Sequence, residues 1–189
     1  RAIERAIQAA VEDDHALAYQ VIDGDQEINQ LRYQIEEECL DILRTRRPHK
    51  IQLRTVMAAT HIATNMERIA QIRLQMEHEE LFDPLEVIET MGNHVRELLN
   101  EATEAFIKDD VKAAERISAE IPQVDRQHDE VVEAVTDRMT DKKTKHFERG
   151  AYVLNVAYQI KRMAERVNNI TERIVFVRTG ALLELNEEE

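Results

Sequence analysis

IKDDVKAAERISAEIPQVD, residues 107–125, has a counterpart near the start of the chain: VEDDHALAYQVIDGDQEIN, residues 11–29. At an offset of 96, Asp13 falls on Asp109, Asp14 on Asp110, Ala18 on Ala114, Val21 on Ile117, Ile28 on Val124 and Asn29 on Asp125. Farther on the offset slips to 94. There HIATNMERIA (61–70) meets NVAYQIKRMA (155–164), with Ala63 on Ala157, Arg68 on Arg162 and Ala70 on Ala164. A chain that repeats itself at a fixed spacing is built from copies of one supersecondary unit. Each unit here reads as a helix, a long helix and a second long helix. The expected fold is therefore all-α: six helices in two tandem, sequence-similar three-helix bundles. The expected boundaries are 1–80 for the first repeat, 84–180 for the second and 181–189 for an acidic tail.

Local signals divide the chain into these helices. Residues 2–12 show a helical pattern, and Asp14 suits the N-cap of the next helix, which runs to about Arg46. Its apolar stripe is Leu17, Val21, Ile28, Leu31, Ile35, Cys39 and Ile42, and Pro48 ends it. A third helix spans about Lys50 to Glu80 and turns Leu53, Met57, Ile62, Met66, Ile69 and Met76 inward. Pro84 opens a fourth, reaching Lys108. Asp110 caps a fifth that runs to about Met139, and Pro122 inside it is expected to bend it. The sixth runs from about Lys145 to Val177, and Thr179-Gly180 stops it. Its stripe is Met163, Val167, Ile170, Ile174 and Val177. Arg162, Glu165, Arg166, Asn168, Asn169, Glu172 and Arg173 crowd the border of that stripe.

Composition agrees with this pattern. Among 189 residues there are only 4 Gly and 3 Pro, and no Trp. Hydrophobic residues make up 43% and charged residues 33%, which suits a helical globular chain. A chain of this length buries roughly 70% of its unfolded surface and needs neither disulfide nor metal to fold. The net charge of −13 argues against nucleic acid or anionic lipid as a primary partner. The single cysteine, Cys39, allows no internal disulfide and lies in the apolar stripe, so it is expected in the core and unreactive. No apolar run approaches the ~20 residues of a membrane span. Together these features point to a cytoplasmic protein without membrane insertion. Arg1 opens directly into a helical pattern with no initiator Met, so an N-terminal piece is expected to precede it.

The residues able to carry chemistry are few. Carboxylates at i, i+4 share one helix face and can hold or bridge hard cations. Four such places keep one acid out of two: Asp25-x-x-x-Asn29, Glu67-x-x-x-Gln71, Ile121-x-x-x-Asp125 and Lys161-x-x-x-Glu165. Periodicity alone reads each as a solvated single acid. Glu12-x-x-His15 and Asp125-x-x-His128 have the spacing of di-iron bundles, but that site needs two such pairs and two further inward Glu. His61 lies near the apolar side of the third helix and reads as a satisfied buried histidine. No Ser-His-Asp or Cys-His arrangement has a supporting motif, and glycines at 24, 92, 150 and 180 form no phosphate loop.

Three stretches resemble the PhoU family of phosphate-uptake regulators: DGDQEINQLRYQIEEECLDIL (23–43), QLRTVMAATHIATNMERIAQI (52–72) and IKRMAERVNNITERIVFVRTG (160–180). The family pattern is an Ile-Asn pair on a helix, a D-L-R start leading to E-R-I-G-D, and a closing E-R-I-G-D-H-A-T-N-I-A-E stretch running into F-x-x-T-G. Val167 to Glu172 stand at A-T-N-I-A-E, and Phe176 to Gly180 at F-x-x-T-G. The resemblance implies two similar three-helix bundles and a non-enzymatic cytoplasmic regulator of phosphate uptake and starvation signalling. Its implied partners are a phosphate ABC transporter ATPase and a phosphate-sensing histidine kinase, and a homodimer is expected. Some members bind iron or zinc clusters through paired acids. Carried over, those positions are Asp25, Glu67, Asp125 and Glu165, for iron, zinc or manganese, with Glu165 and Asp125 expected to line one groove of the second bundle. Asn29, Gln71, Ile121 and Lys161 replace the other acids, and Lys161 brings a positive charge where a cation would sit. Two further readings stand beside the docking regulator. One is a metal-dependent helical bundle, either an ion store or a di-metal site. The other is a structural spacer, or a PhoU-like domain of a larger protein.

Overall fold

The computed structural model describes residues 25–70, 85–139, 145–182 and 185. Among them are five helices and no strand: α1 (Asp25–Arg46), α2 (Lys50–Ala70), α3 (Leu85–Lys108), α4 (Val111–Met139) and α5 (Lys145–Thr179). The helix expected at 2–12, the first part of the second helix up to residue 24, and the continuation of the third through 71–80 lie outside the described residues. The helical assignment of α4 runs unbroken through Pro122.

The connections follow from their residues. Arg47 takes a positive φ of 44° after α1, and Pro48 cannot continue the helix. His49 then caps α2. Its carbonyl accepts from the Leu53 amide at 2.8 Å. Its own amide donates to Gln52 Oε1 at 3.1 Å, which is the glutamine half of a capping box. The α3–α4 turn is built on Asp109 at φ 56°. It is a Schellman motif. The Asp110 amide donates to the Ala105 carbonyl at 2.9 Å and the Asp109 amide to that of Phe106 at 3.3 Å. Asp110 also accepts from the Ala113 amide at 3.0 Å through Oδ1, so it is the N-cap of α4 that its sequence suggested. Asp109 in turn holds Arg178 at 2.6 Å, which ties this turn to the end of α5.

Gly180 ends α5 at φ 77°. Its amide donates to the Phe176 carbonyl at 2.8 Å, as a left-handed helix stop should. Arg54 of α2 covers this end. Its Nη1 reaches the Arg178 carbonyl at 3.5 Å. Its guanidinium lies 6.0 Å from the Phe176 ring centroid, within cation–π range. A Cβ on Gly180 would displace that guanidinium, which its flexible side chain permits, so it is the left-handed backbone conformation that favours glycine here.

α3, α4 and α5 pack pairwise, α2 packs on α5, and α1 packs on α2. The 35 residues of α5 span about 50 Å. Because α5 meets three helices, its buried face is wider than one stripe. Met163, Val167, Ile170, Ile174 and Val177 are buried as the spacing predicts, and so are Ala164, Asn168, Thr171 and Val175. One continuous core joins Ile62 and Ile69 of α2, Met91, Val95 and Leu98 of α3, Ile117, Val124 and Val131 of α4, and the α5 stripes.

The first two stripes need correction. Leu31 and Ile35 of α1, and Leu53 and Met57 of α2, are exposed. The inward side of α2 is Val56, Ala58, Ile62, Ala63, Asn65 and Ile69. Asn65 on that side meets Asn169 of α5, and Leu53 and Met57 fall on the outward side. On α1 the buried apolar position is Cys39, whose thiol lies 3.6 Å from the Val56 carbonyl. Burial pushes that thiol pKa up, and Glu38 and Glu36 add to the shift, so Cys39 is the core residue expected.

Candidate functional site

The helix pairs run antiparallel, and the side-chain contacts give their registers. Between α1 and α2, Cys39 faces Val56 and Arg32 faces Glu67. Between α4 and α5, Ser118 faces Asn168 and Asp125 faces Lys161. Between α2 and α5, Arg54 faces Arg178 and Asn65 faces Asn169. The polar border of α5 therefore looks onto both α4 and α2.

Three of the four acids singled out from the sequence have described side chains, and each engages a cation of the chain. Glu67 Oε2 lies 3.7 Å from Arg32 Nε. Asp125 Oδ1 is 3.0 Å from Lys161 Nζ, so the positive charge noted at position 161 neutralises the acid opposite it. Glu165 Oε2 is 3.3 Å from Arg162 Nη1, one turn back on the same helix. Asp25 is the first residue of α1. Among the described residues no group of three or more His, Cys, Asp or Glu is assembled as metal ligands.

The histidines do not supply the missing donors. His128 Nδ1 turns to Asp129 Oδ1 at 3.1 Å rather than to Asp125. His61, read from sequence as a buried histidine, is exposed on the α2 side of the seam with α5. Desolvation lowers its pKa and the Arg173 charge lowers it further, both favouring the neutral imidazole.

Two features of the α5 border escaped the sequence reading. The first is a buried amide hub. Ser118 Oγ donates to Asn168 Oδ1 at 2.6 Å, and Asn168 Nδ2 donates to Glu172 Oε1 at 3.1 Å. Thr171 Oγ1 donates to the Asn168 carbonyl at 2.7 Å. Ser118, Asn168 and Thr171 are all buried, and this network locks the α4–α5 register. The adjacent amides Asn168-Asn169 beside an apolar stripe were its signal in the sequence.

The second feature is basic. Desolvation lowers the pKa of Arg166, and the charges of Arg68 and Arg162 lower it further, while Glu165 opposes them. Asn65 meets Asn169 across the α2–α5 seam, and that register brings Arg68 and Arg166 toward each other one turn along it. Among the described residues, Arg68 and Arg166 make no hydrogen bond or ion pair. Taken together, the site offers paired charges, an interhelical amide network and a local basic cluster: groups that bind and hold.

These findings can be set beside known proteins. The family model described as "PhoU domain" matches residues 1–72 and 88–174. The phosphate-specific transport system accessory protein PhoU of Escherichia coli (strain K12) is 30% identical over 186 residues, covering 93% of this chain and 75% of the relative. A homolog of that accessory protein in Streptococcus pneumoniae (strain TIGR4) is 27% identical, covering 96% of this chain and 87% of the relative. The crystal structure of the phosphate transport system regulatory protein PhoU from Streptococcus pneumoniae superposes with a TM-score of 0.86 at 25% identity, covering 96% of this chain and 88% of that one. That of PhoU from Pseudomonas aeruginosa gives 0.75 at 24% identity, which speaks to the fold, and covers 95% of this chain and 90% of that one. With the repeat, the helix order and the closing Thr179-Gly180 cap all in agreement, the chain belongs to the PhoU family.

Proposed function

We propose that this chain is a non-enzymatic cytoplasmic regulator of phosphate uptake and phosphate-starvation signalling. It acts by docking to a phosphate ABC transporter ATPase and a phosphate-sensing histidine kinase. The observation that carries this reading is the match along 93% of the chain to an accessory protein of a phosphate-specific transport system. The architecture in this reading is six helices in two three-helix bundles, 1–80 and 84–180, followed by the acidic tail 181–189. In this reading the docking faces draw on the acidic surface of a chain of net charge −13 and meet basic patches on the partners. Exposed Leu31, Tyr33, Leu40, Ile51, Leu53 and Met57 on α1 and α2 supply apolar area for a partner or for a homodimer. In a pull-down with the transporter ATPase and the sensor kinase, the chain should be retained at low salt and released as salt rises. No retention at any salt would overturn the docking reading.

The acid pairs do not fit a multinuclear cluster of iron, zinc or manganese. Glu67, Asp125 and Glu165 face Arg32, Lys161 and Arg162 respectively, and a metal would have to displace those cations. Elemental analysis of the purified chain, before and after chelator, is expected to find less than one transition metal per chain. Two or more chelator-sensitive metals per chain would reinstate Asp25, Glu67, Asp125 and Glu165 as ligands.

A further inference from the structure

We infer that the crossing of α2 and α5 holds a compact phosphate-type anion between Arg68, Arg162 and Arg166. The placement follows from the register. Asn65 faces Asn169 at 3.5 Å across two antiparallel helices. Arg68 lies three residues beyond Asn65 on α2, and Arg166 three residues before Asn169 on α5, so the two meet one turn along the same seam. Arg162 precedes Arg166 by four residues and shares its face. Arg68 and Arg162 also stand at matching positions of the internal repeat, so the last helix of each repeat brings its equivalent arginine to one place.

The charge pattern is the reverse of the rest of the molecule. A chain of net charge −13 gathers three guanidinium groups here. Glu165 is the acid beside them, and it is engaged by Arg162 at 3.3 Å. Among the described residues Arg68 and Arg166 make no ion pair or hydrogen bond, and the acid that acts on Arg166, Glu165, is shared with Arg162. Arg166 is half-buried, so its charge is partly desolvated and stands beside two like charges, with Glu165 opposing them. A tetrahedral oxyanion relieves that repulsion, because guanidinium forks match its oxygens bidentately and its double charge offsets two arginines at once. An extended acidic peptide suits the place less well, since beyond the cluster it would run along a surface of its own sign. The group could come from free inorganic phosphate or from a phosphomonoester headgroup.

The test uses the full chain in two arms. One arm titrates it with inorganic phosphate, read by phosphorus NMR. The other cosediments it with phosphatidylcholine vesicles with and without phosphatidic acid. Saturable binding in either arm is expected, weakened roughly ten- to a hundredfold by Arg166→Gln. Arg68→Gln, at an exposed position that the fold does not need, should weaken it in the same direction, and Arg126→Gln on α4 should leave it unchanged. Binding in the phosphate arm assigns a soluble anion, and binding in the vesicle arm alone assigns a headgroup. No binding in either arm, binding indifferent to both Arg68→Gln and Arg166→Gln, or capture of an acidic peptide in place of phosphate overturns the inference. Retention by the transporter ATPase is scored separately on the same variants, so loss of anion binding and loss of partner docking are distinguishable.

Discussion

Ile170→Ala is expected to lower stability by about 2–5 kcal/mol and the thermal midpoint by roughly 5–20 °C. Ile170 is 0% exposed in the C-terminal half of α5, the one described helix that touches three others. Truncation there removes three carbons from the shared core and leaves a cavity that helices fixed on several sides cannot close. The exposed Ile107 gives an internal control. At 76% exposure, Ile107→Ala should change stability by no more than about 0.5 kcal/mol. Two probes on Ile170→Ala carry the argument further. Helical circular dichroism reports the whole chain, whereas alkylation of Cys39 reports the α1–α2 pair, since its thiol is buried against Val56. If α5 joins both halves into one cooperative unit, the two midpoints should move down together. A loss below about 1 kcal/mol, or a thiol transition that stays in place, would mean that α5 does not carry the core in this way.

How far the sequence led is best judged helix by helix. The α5 stripe was readable because one strong apolar period runs through Met163, Val167, Ile170, Ile174 and Val177, and all five are buried. The Asp110 cap and the Gly180 stop were readable because each is a local chemical event, a side-chain acceptor or a positive φ. The facing of α2 was misjudged at Leu53 and Met57 for a physical reason. Periodicity rewards large apolar residues, but the buried side of α2 includes Ala58, Ala63 and Asn65, small or polar residues that such a pattern passes over. On α1, Leu31 and Ile35 belong to a period whose partner among the described residues is α2 alone, so much of the stripe stays exposed. The site was legible only where one residue announces its effect. Lys161 was legible as a positive charge at an acid position, although its partner, Asp125, was not. The Arg32–Glu67 pair, the Asn168 hub and the Arg68–Arg166 crossing depend on interhelical register, which no single-helix pattern contains.

Asn168 offers the sharper test of that register. It is the acceptor of the Ser118 hydroxyl and the donor to Glu172 in a buried place. Asn168→Ala removes both bonds at roughly 1 kcal/mol each and leaves a cavity, so it should cost about 2–3 kcal/mol. In a double-mutant cycle with Ser118→Ala, the coupling should be at least about 0.5 kcal/mol, as for residues in direct contact. Asn168→Asp should cost more, about 3–5 kcal/mol at neutral pH. It keeps an acceptor for Ser118 but replaces the amide donor by a carboxylate facing Glu172 in a buried site. Burial and the like charge both raise the pKa of the introduced carboxyl above its unfolded value. A group with a raised folded-state pKa stabilises most when protonated, so this variant should approach the parent's stability in acid and lose it as pH rises past the ordinary carboxylate range. Denaturant melts across that range decide the matter. If Asn168→Asp tracks the parent at every pH, the amide is solvated and the α4–α5 register is held by apolar packing alone. If the gap opens with rising pH, the network from Ser118 to Glu172 fixes the register, and with it the place where Asp125 meets Lys161.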